Sequence, residues 1–254
     1  MPLPAETLTR TTTLVRHNLL LVRREPGPIL SRMILPLVFL TLLRPLYTAA
    51  QGPAAGTEQA VVGTVVTFSL LALSISGSAI LTERLARTWD RLRASAAHPA
   101  ELFTGKAVPA FLALLTQQAL ILGFAGAFLG LRPQHYGLLA AVLLSWSVTL
   151  LGLGTLLGVL ARSAGELSAA YDIGGMLLSS LGGALVPLSV LPHWVNVVAP
   201  ISPGYWAAHG LRASLAGDTA ATVTTCAILL AAGVVCALAA ALRLRGRGSR
   251  LVAL

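Results

Sequence analysis

Residues 107–160, AVPAFLALLTQQALILGFAGAFLGLRPQHYGLLAAVLLSWSVTLLGLGTLLGVL, decide the fold. Arg132 is the only lysine, arginine or acid among them. They divide into two apolar runs, 107–129 and 138–160, on either side of a short polar stretch. Each run is close to the roughly 20 residues that a helix needs to cross bilayer hydrocarbon. Four more runs lie outward along the chain, at 29–47, 60–81, 169–191 and 220–242. Asp172 is the sole charge in the last five of the six.

This arrangement predicts an all-α, polytopic membrane protein with six transmembrane helices in one transmembrane domain spanning 1–254. Composition agrees: the 254 residues are 56% hydrophobic and only 11% charged, with a mean hydropathy of +0.80. Soluble domains carry about twice that share of charge. The first run is the weakest, because Arg32 and Arg44 leave a charge-free centre from Met33 to Leu43. Two readings of it stand at this stage. Either both arginines snorkel outward from the helix ends, or the run is a cleaved signal peptide ending near YTAAQ (47–51).

The net charge of +9 would ordinarily suggest a nucleic-acid partner, but the placement of the cations gives another reason for it. Arg10, Arg16, Arg23, Arg24 and Arg32 surround the first run's start, and Arg84, Arg87, Arg91, Arg93 and Lys106 lie between the second and third. Arg162 precedes the fifth, and Arg243, Arg245, Arg247 and Arg250 close the tail. The other side keeps only Arg44, Arg132 and Arg212. By the positive-inside rule, both termini are expected in the cytoplasm and the protein in the cell membrane. No nucleic acid is implied.

Chemistry of other kinds is missing from the sequence. No phosphate-binding loop G-x-x-x-x-G-K-[ST] is present: Lys106 follows Gly105, but position 100 is Ala and position 107 is Ala. G-x-S-x-G and H-E-x-x-H motifs are absent too. The histidines at 17, 98, 135, 193 and 209 do not pair at metal-ligand spacing. Cys226 and Cys236 would sit about 15 Å apart along a helix, too far for a disulfide. The chain is therefore expected to hold no cofactor or metal and to be no enzyme by itself.

Three segments outside the runs carry information. Residues 1–28 place Leu8, Val15, Leu19 and Val22 near helical spacing with arginines mostly off that stripe, which predicts an amphipathic helix in the headgroup layer. The loop 82–106 repeats the device: Leu85, Trp89 and Leu92 recur at i, i+4, i+7, with Arg84, Arg87 and Arg91 on other faces. Pro99 is expected to start a second helix that leads through Gly105 into the next span. In the loop 192–219, Trp194, Val197, Val198 and Ile201 form an apolar face, and Tyr205 and Trp206 suit the headgroup level. That loop is expected to be re-entrant or interfacial, with Pro192, Trp194, Pro203, Tyr205 and Trp206 as its marker residues.

Within the spans, Ser74, Ser78, Gln117 and Gln118 are candidates to line a translocation path, although bonds between neighbouring helices would explain them equally. Gly126-x-x-x-Gly130 and Gly154-x-x-x-Gly158 fit either packing inside one subunit or a helix-dimer face. Asp172 is expected to be structural, paired with Arg162 or another cytoplasmic-side arginine.

The sequence ERLARTWDRLRASAAHPAELFTGK (83–106) resembles the intracellular loop of ABC-2 type permeases, the membrane subunits of ATP-binding-cassette exporters. Glu83, Arg84, Thr88, Asp90, Arg91, Leu92, Ser95, Glu101, Leu102, Gly105 and Lys106 carry the resemblance. Arg87 stands where that family usually has glycine, and Ala96 where it has proline. RREPGPILSRMILPLVFLTLL (23–43) and GGALVPLSVLPHWVNVVAPISPGYWAAHGLR (182–212) extend the likeness, which is greatest to drug-efflux permeases of the daunorubicin-resistance type.

The resemblance implies a half-transporter. Two such permeases would pair, as a homodimer or heterodimer, and each would dock on a separate ATPase subunit that binds ATP and magnesium. Glu83, Arg84, Arg87, Thr88, Trp89, Arg91 and Leu92 would form the coupling surface, and the N-terminal helix would join that interface. The implied cargo is a hydrophobic or amphipathic compound, such as a drug or an antibiotic. Export of a lipid or polysaccharide precursor, proton-coupled secondary transport, and a non-transporting scaffold or immunity protein remain as other readings of the same chain.

Overall fold

A computed structural model describes residues 26–85 and 99–248. All regular elements among these residues are helical: α1 (Pro26–Gln51), α2 (Pro53–Leu71), α3 (Ser74–Leu85), α4 (Pro99–Phe128), α5 (Tyr136–Leu160), α6 (Ala164–Leu181), α7 (His193–Val198), α8 (Pro203–Leu215) and α9 (Thr219–Gly248). Single 3-10 turns occupy Leu188–Val190 and Ala199–Ile201. The amphipathic segment expected before the first span and the centre of the charged loop, including Arg87, Thr88, Trp89, Arg91 and Leu92, lie outside the described residues.

Within the described residues, five helical runs are long and apolar enough to cross a membrane: Leu30–Gln51, Pro53–Thr82, Ala107–Phe128, Tyr136–Leu160 and Thr219–Leu244. The sequence expects six. The difference lies at 169–191, where α6 starts earlier and stops at Leu181. Its start is fixed by the Ser163 hydroxyl, which accepts the Glu166 N–H at 3.1 Å, while the Glu166 carboxylate accepts the Arg162 N–H at 2.8 Å. That exchange is a variant of the capping box. Its end is fixed by Gly182 and Gly183, the latter at φ +70, a left-handed conformation that disfavours a side chain. With 18 residues, α6 rises about 27 Å.

The second span is continuous but tightened at its middle. Ala72 bonds back to Phe68, whereas Leu73 reaches only to Leu70, a 3-10-type step between α2 and α3. Pro99 does begin a helix as expected, and α4 passes unbroken through Gly105 into the membrane run.

α2 is the axis of the molecule. Of the most apolar window of the span Pro53–Thr82, which α2 begins, 88% is buried, against 11% for the span in α1 and 22% for that in α9. It packs against α1, α4, α6 and α8, while α5 pairs extensively with α9. The outer faces of α1 and α9 instead expose Leu35, Leu42 and Leu46, and Val223, Val235 and Leu238. A polar-seamed interior inside an apolar exterior suits a lipid surrounding.

Glycines allow the closest approaches. A Cβ on Gly158 of α5 would stand 2.5 Å from the Gly77 carbonyl of α3, and one on Gly77 would stand 2.7 Å from the Gly154 carbonyl. The pair Gly154 and Gly158 is therefore a packing face inside this chain. Gly126 meets nothing so close, and Gly130 serves the turn after α4 at φ +73. The first run is likewise built into the fold. Leu40 is fully buried, and α2 approaches α1 so closely that a Cβ on Gly56 would stand 2.5 Å from the Thr48 Cα.

Candidate functional site

The polar groups of α2 and its neighbours gather into two clusters. The first surrounds the turn after α6. Gln59, 5% exposed, donates through Nε2 to the Ala184 carbonyl at 2.8 Å and the Gly183 carbonyl at 3.3 Å. Arg212 of α8 donates to Gln59 Oε1 at 2.7 Å and to the Gly183 carbonyl at 3.1 Å. The Tyr47 hydroxyl of α1 donates to the Leu185 carbonyl. Side chains from three helices thus hold the turn by its carbonyls. Burial lowers Arg212 from its ordinary value, while Glu58 and Tyr205 draw it back up; a guanidinium stays charged through such shifts.

α8 reaches this cluster because most of its inward residues are small, Leu211 and Leu215 being the exceptions. Gly204, Ala207, Ala208, Gly210, Ala213 and Ser214 are buried. Ser202 caps its start, accepting the Gly204 N–H at 3.1 Å and donating to the Leu178 carbonyl of α6 at 2.7 Å. Pro203 follows at the first helical position, where its missing N–H costs nothing. The loop after α6 therefore contains a helix packed among α2, α5, α6 and α9. Of the marker residues, Pro192 caps α7, Trp194 is 62% exposed, and Trp206 donates to the Pro200 carbonyl at 2.8 Å. Tyr205 stands edge-on to Trp206 and stacks with His209. The expected apolar face of Trp194, Val197 and Ile201 points outward, and Val195 is the buried residue of α7.

The second cluster joins α1, α2 and α4. Pro36 lies inside α1 and has no N–H to give the Arg32 carbonyl four residues back. Gln117 of α4 makes up the loss, donating to the Arg32 carbonyl at 3.3 Å and towards the Phe68 carbonyl at 3.5 Å. The Arg32 guanidinium turns sideways to the Ser74 hydroxyl at 2.9 Å, and Arg44 likewise donates to the Thr57 hydroxyl at 3.1 Å. Each arginine of the first run thus finds a hydroxyl on a neighbouring helix, Arg32 on α3 and Arg44 on α2.

Gln118, fully buried, donates to the Ser147 hydroxyl of α5 at 3.2 Å. The four path candidates thus separate: Ser74, Gln117 and Gln118 bond across helices, and Ser78 is exposed and bonds to the Ser74 carbonyl of its own helix. Asp172 is exposed on α6. Glu83 and Arg84 belong to the last turn of α3. Gln59 and Tyr47 escaped the sequence reading. The signal for Gln59 is the polar trio Thr57-Glu58-Gln59, which stands just before the apolar run at 60–81 but lies inside the helix that begins at Pro53.

A bundle of long apolar helices around a polar-seamed central helix defines a multi-pass membrane protein. Residues 9–216 match the profile of the family described as ABC-2 type transporter. This chain belongs to that family, and it is a membrane component of transport. No curated protein matches it closely enough to add a relative.

Proposed function

We propose that the chain is the permease subunit of an ABC exporter, carrying a hydrophobic or amphipathic compound out of the cell with energy from a separate ATPase. Family membership across 9–216 carries this reading, and a sequence without a phosphate-binding loop of its own is consistent with it. ATP and magnesium would be held by the ATPase. A second permease would complete the path, and both termini would face the cytoplasm.

Under this reading the ATPase docks on the loop after α3, on the stripe of Leu85, Trp89 and Leu92 among the arginines. Closure of the ATPase around nucleotide would push α3 and α4 together, since the loop joins them. The test is co-purification with a candidate ATPase and the rate of ATP hydrolysis in the assembled complex. Trp89→Asp with Leu92→Asp is expected to weaken the complex at least tenfold and remove the coupled rate. An unchanged complex would refute the docking surface. Transport that persists with an ATPase unable to hydrolyse ATP would refute ATP-driven export.

A further inference from the structure

On the side of the bundle where α4 meets α5, a half-open cavity of about 410 Å³ runs between them. Ala119, Leu122, Gly123 and Gly126 line it from α4, and Leu139 and Leu143 from α5. The groove exists because α4 has no bulk there: a Cβ on Gly123 would meet nothing within 4 Å, and one on Gly126 only the Leu131 carbonyl at 3.6 Å. Both helices are apolar enough to span a membrane, so the groove opens into hydrocarbon, where chains of lipid are the surrounding medium.

Its length and its mouth narrow the occupant. The lining runs from Ala119 to Ala127 on α4 and from Tyr136 to Leu143 on α5, about 11 Å along a helix axis. That is close to the depth of one leaflet, half of the roughly 30 Å hydrocarbon core. At the open end Leu131, Pro133 and Tyr136 complete the lining, and Tyr136, 73% exposed, is suited to the headgroup level.

Charge at the mouth is positive. α5 starts there with no side-chain cap from His135 and no acid in its first turn, so its positive dipole end is uncompensated. Arg132 is exposed beside it. Asp218, in the adjoining turn, keeps its negative charge but sets it against the start of α9, where it accepts the Ala221 N–H at 3.0 Å.

We propose that this groove is a binding site for an anionic phospholipid. One acyl chain lies between α4 and α5, and the phosphate sits at the first turn of α5 beside Arg132. The site is independent of the cargo and of the ATPase.

The full chain in vesicles of mixed phosphatidylglycerol and phosphatidylcholine, one or the other carrying a photoactivatable acyl chain, provides the test. Labelled peptides are mapped after irradiation. Phosphatidylglycerol is expected to label 119–143 at least fivefold above the open apolar face of α9 around Val223, Val234 and Val235. Gly123→Leu, and independently Ala140→Phe, should remove that excess while labelling of α9 and the unfolding temperature stay constant. Arg132→Gln should abolish the preference for phosphatidylglycerol over phosphatidylcholine. Equal labelling of both faces would reduce the groove to ordinary boundary lipid and overturn the proposal. Displacement of the label by an exported compound at micromolar concentration would also overturn it, by making the groove a cargo site.

Discussion

Arg212 and Gln59 show how a buried charge is tolerated here. The guanidinium has an amide oxygen at 2.7 Å and a carbonyl at 3.1 Å, and hydrogen bonds to charged groups contribute about 1.5–3 kcal/mol each. Gln59→Leu is expected to cost about that much, because it removes one of the two acceptors of Arg212 and takes the Gln59 donor from the Ala184 carbonyl. The unfolding temperature in detergent should fall clearly; an unchanged value would mean that the cluster contributes nothing to stability. Tyr171 predicts the opposite outcome. Its hydroxyl is buried and has no partner among the described residues, so Tyr171→Phe removes an unsatisfied group and should leave the unfolding temperature level or raise it. Neither role was legible in the sequence. A lone glutamine in an apolar run does not announce which carbonyl it meets, since that carbonyl belongs to a turn more than a hundred residues away, and a lone tyrosine does not announce that it meets none.

At the scale of elements, the close glycine contacts make the sharpest prediction. Gly158→Val would push a branched side chain against the Gly77 carbonyl, and overpacking of this kind costs about 1–3 kcal/mol. Thermal unfolding of the variant should register that loss, whereas Gly123→Ala, which faces open space, should not destabilise the fold. The apolar runs made the helices legible, and boundaries followed wherever local chemistry marked them, as at Pro99. They failed where tertiary partners decide. The sequence expects a span at 169–191 because Ala184, Leu185 and Val186 extend the apolar run, yet a Gly-Gly pair ends α6 at Leu181. The carbonyls so released are recovered by Tyr47, Gln59 and Arg212 from three other helices, which no local pattern encodes. For 192–219 the sequence expects a re-entrant or interfacial segment but not the helix α8 within it, because the small residues there read as weakly hydrophobic and not as a packing surface.

For the whole molecule, the near-total enclosure of α2 bears on how the protein is made. A helix released into a membrane in chain order finds only α1 beside it at first. Its Thr57, Gln59, Thr64, Thr67 and Ser69 are all buried in the finished protein. The hydroxyls of Thr64 and Ser69 find carbonyls on α2 itself, but Thr67 waits for Ser179 of α6, and Gln59 for the turn at Gly183 and for Arg212 of α8. Until synthesis reaches those residues, an amide and a hydroxyl remain in hydrocarbon without their final partners, at a cost of about 1–3 kcal/mol for each unsatisfied group. Nascent chains halted after Leu160 should therefore be short-lived in pulse-chase experiments, and chains halted after Leu215 markedly longer-lived. The axis that organises the completed bundle is the part of it that depends longest on what has yet to be translated.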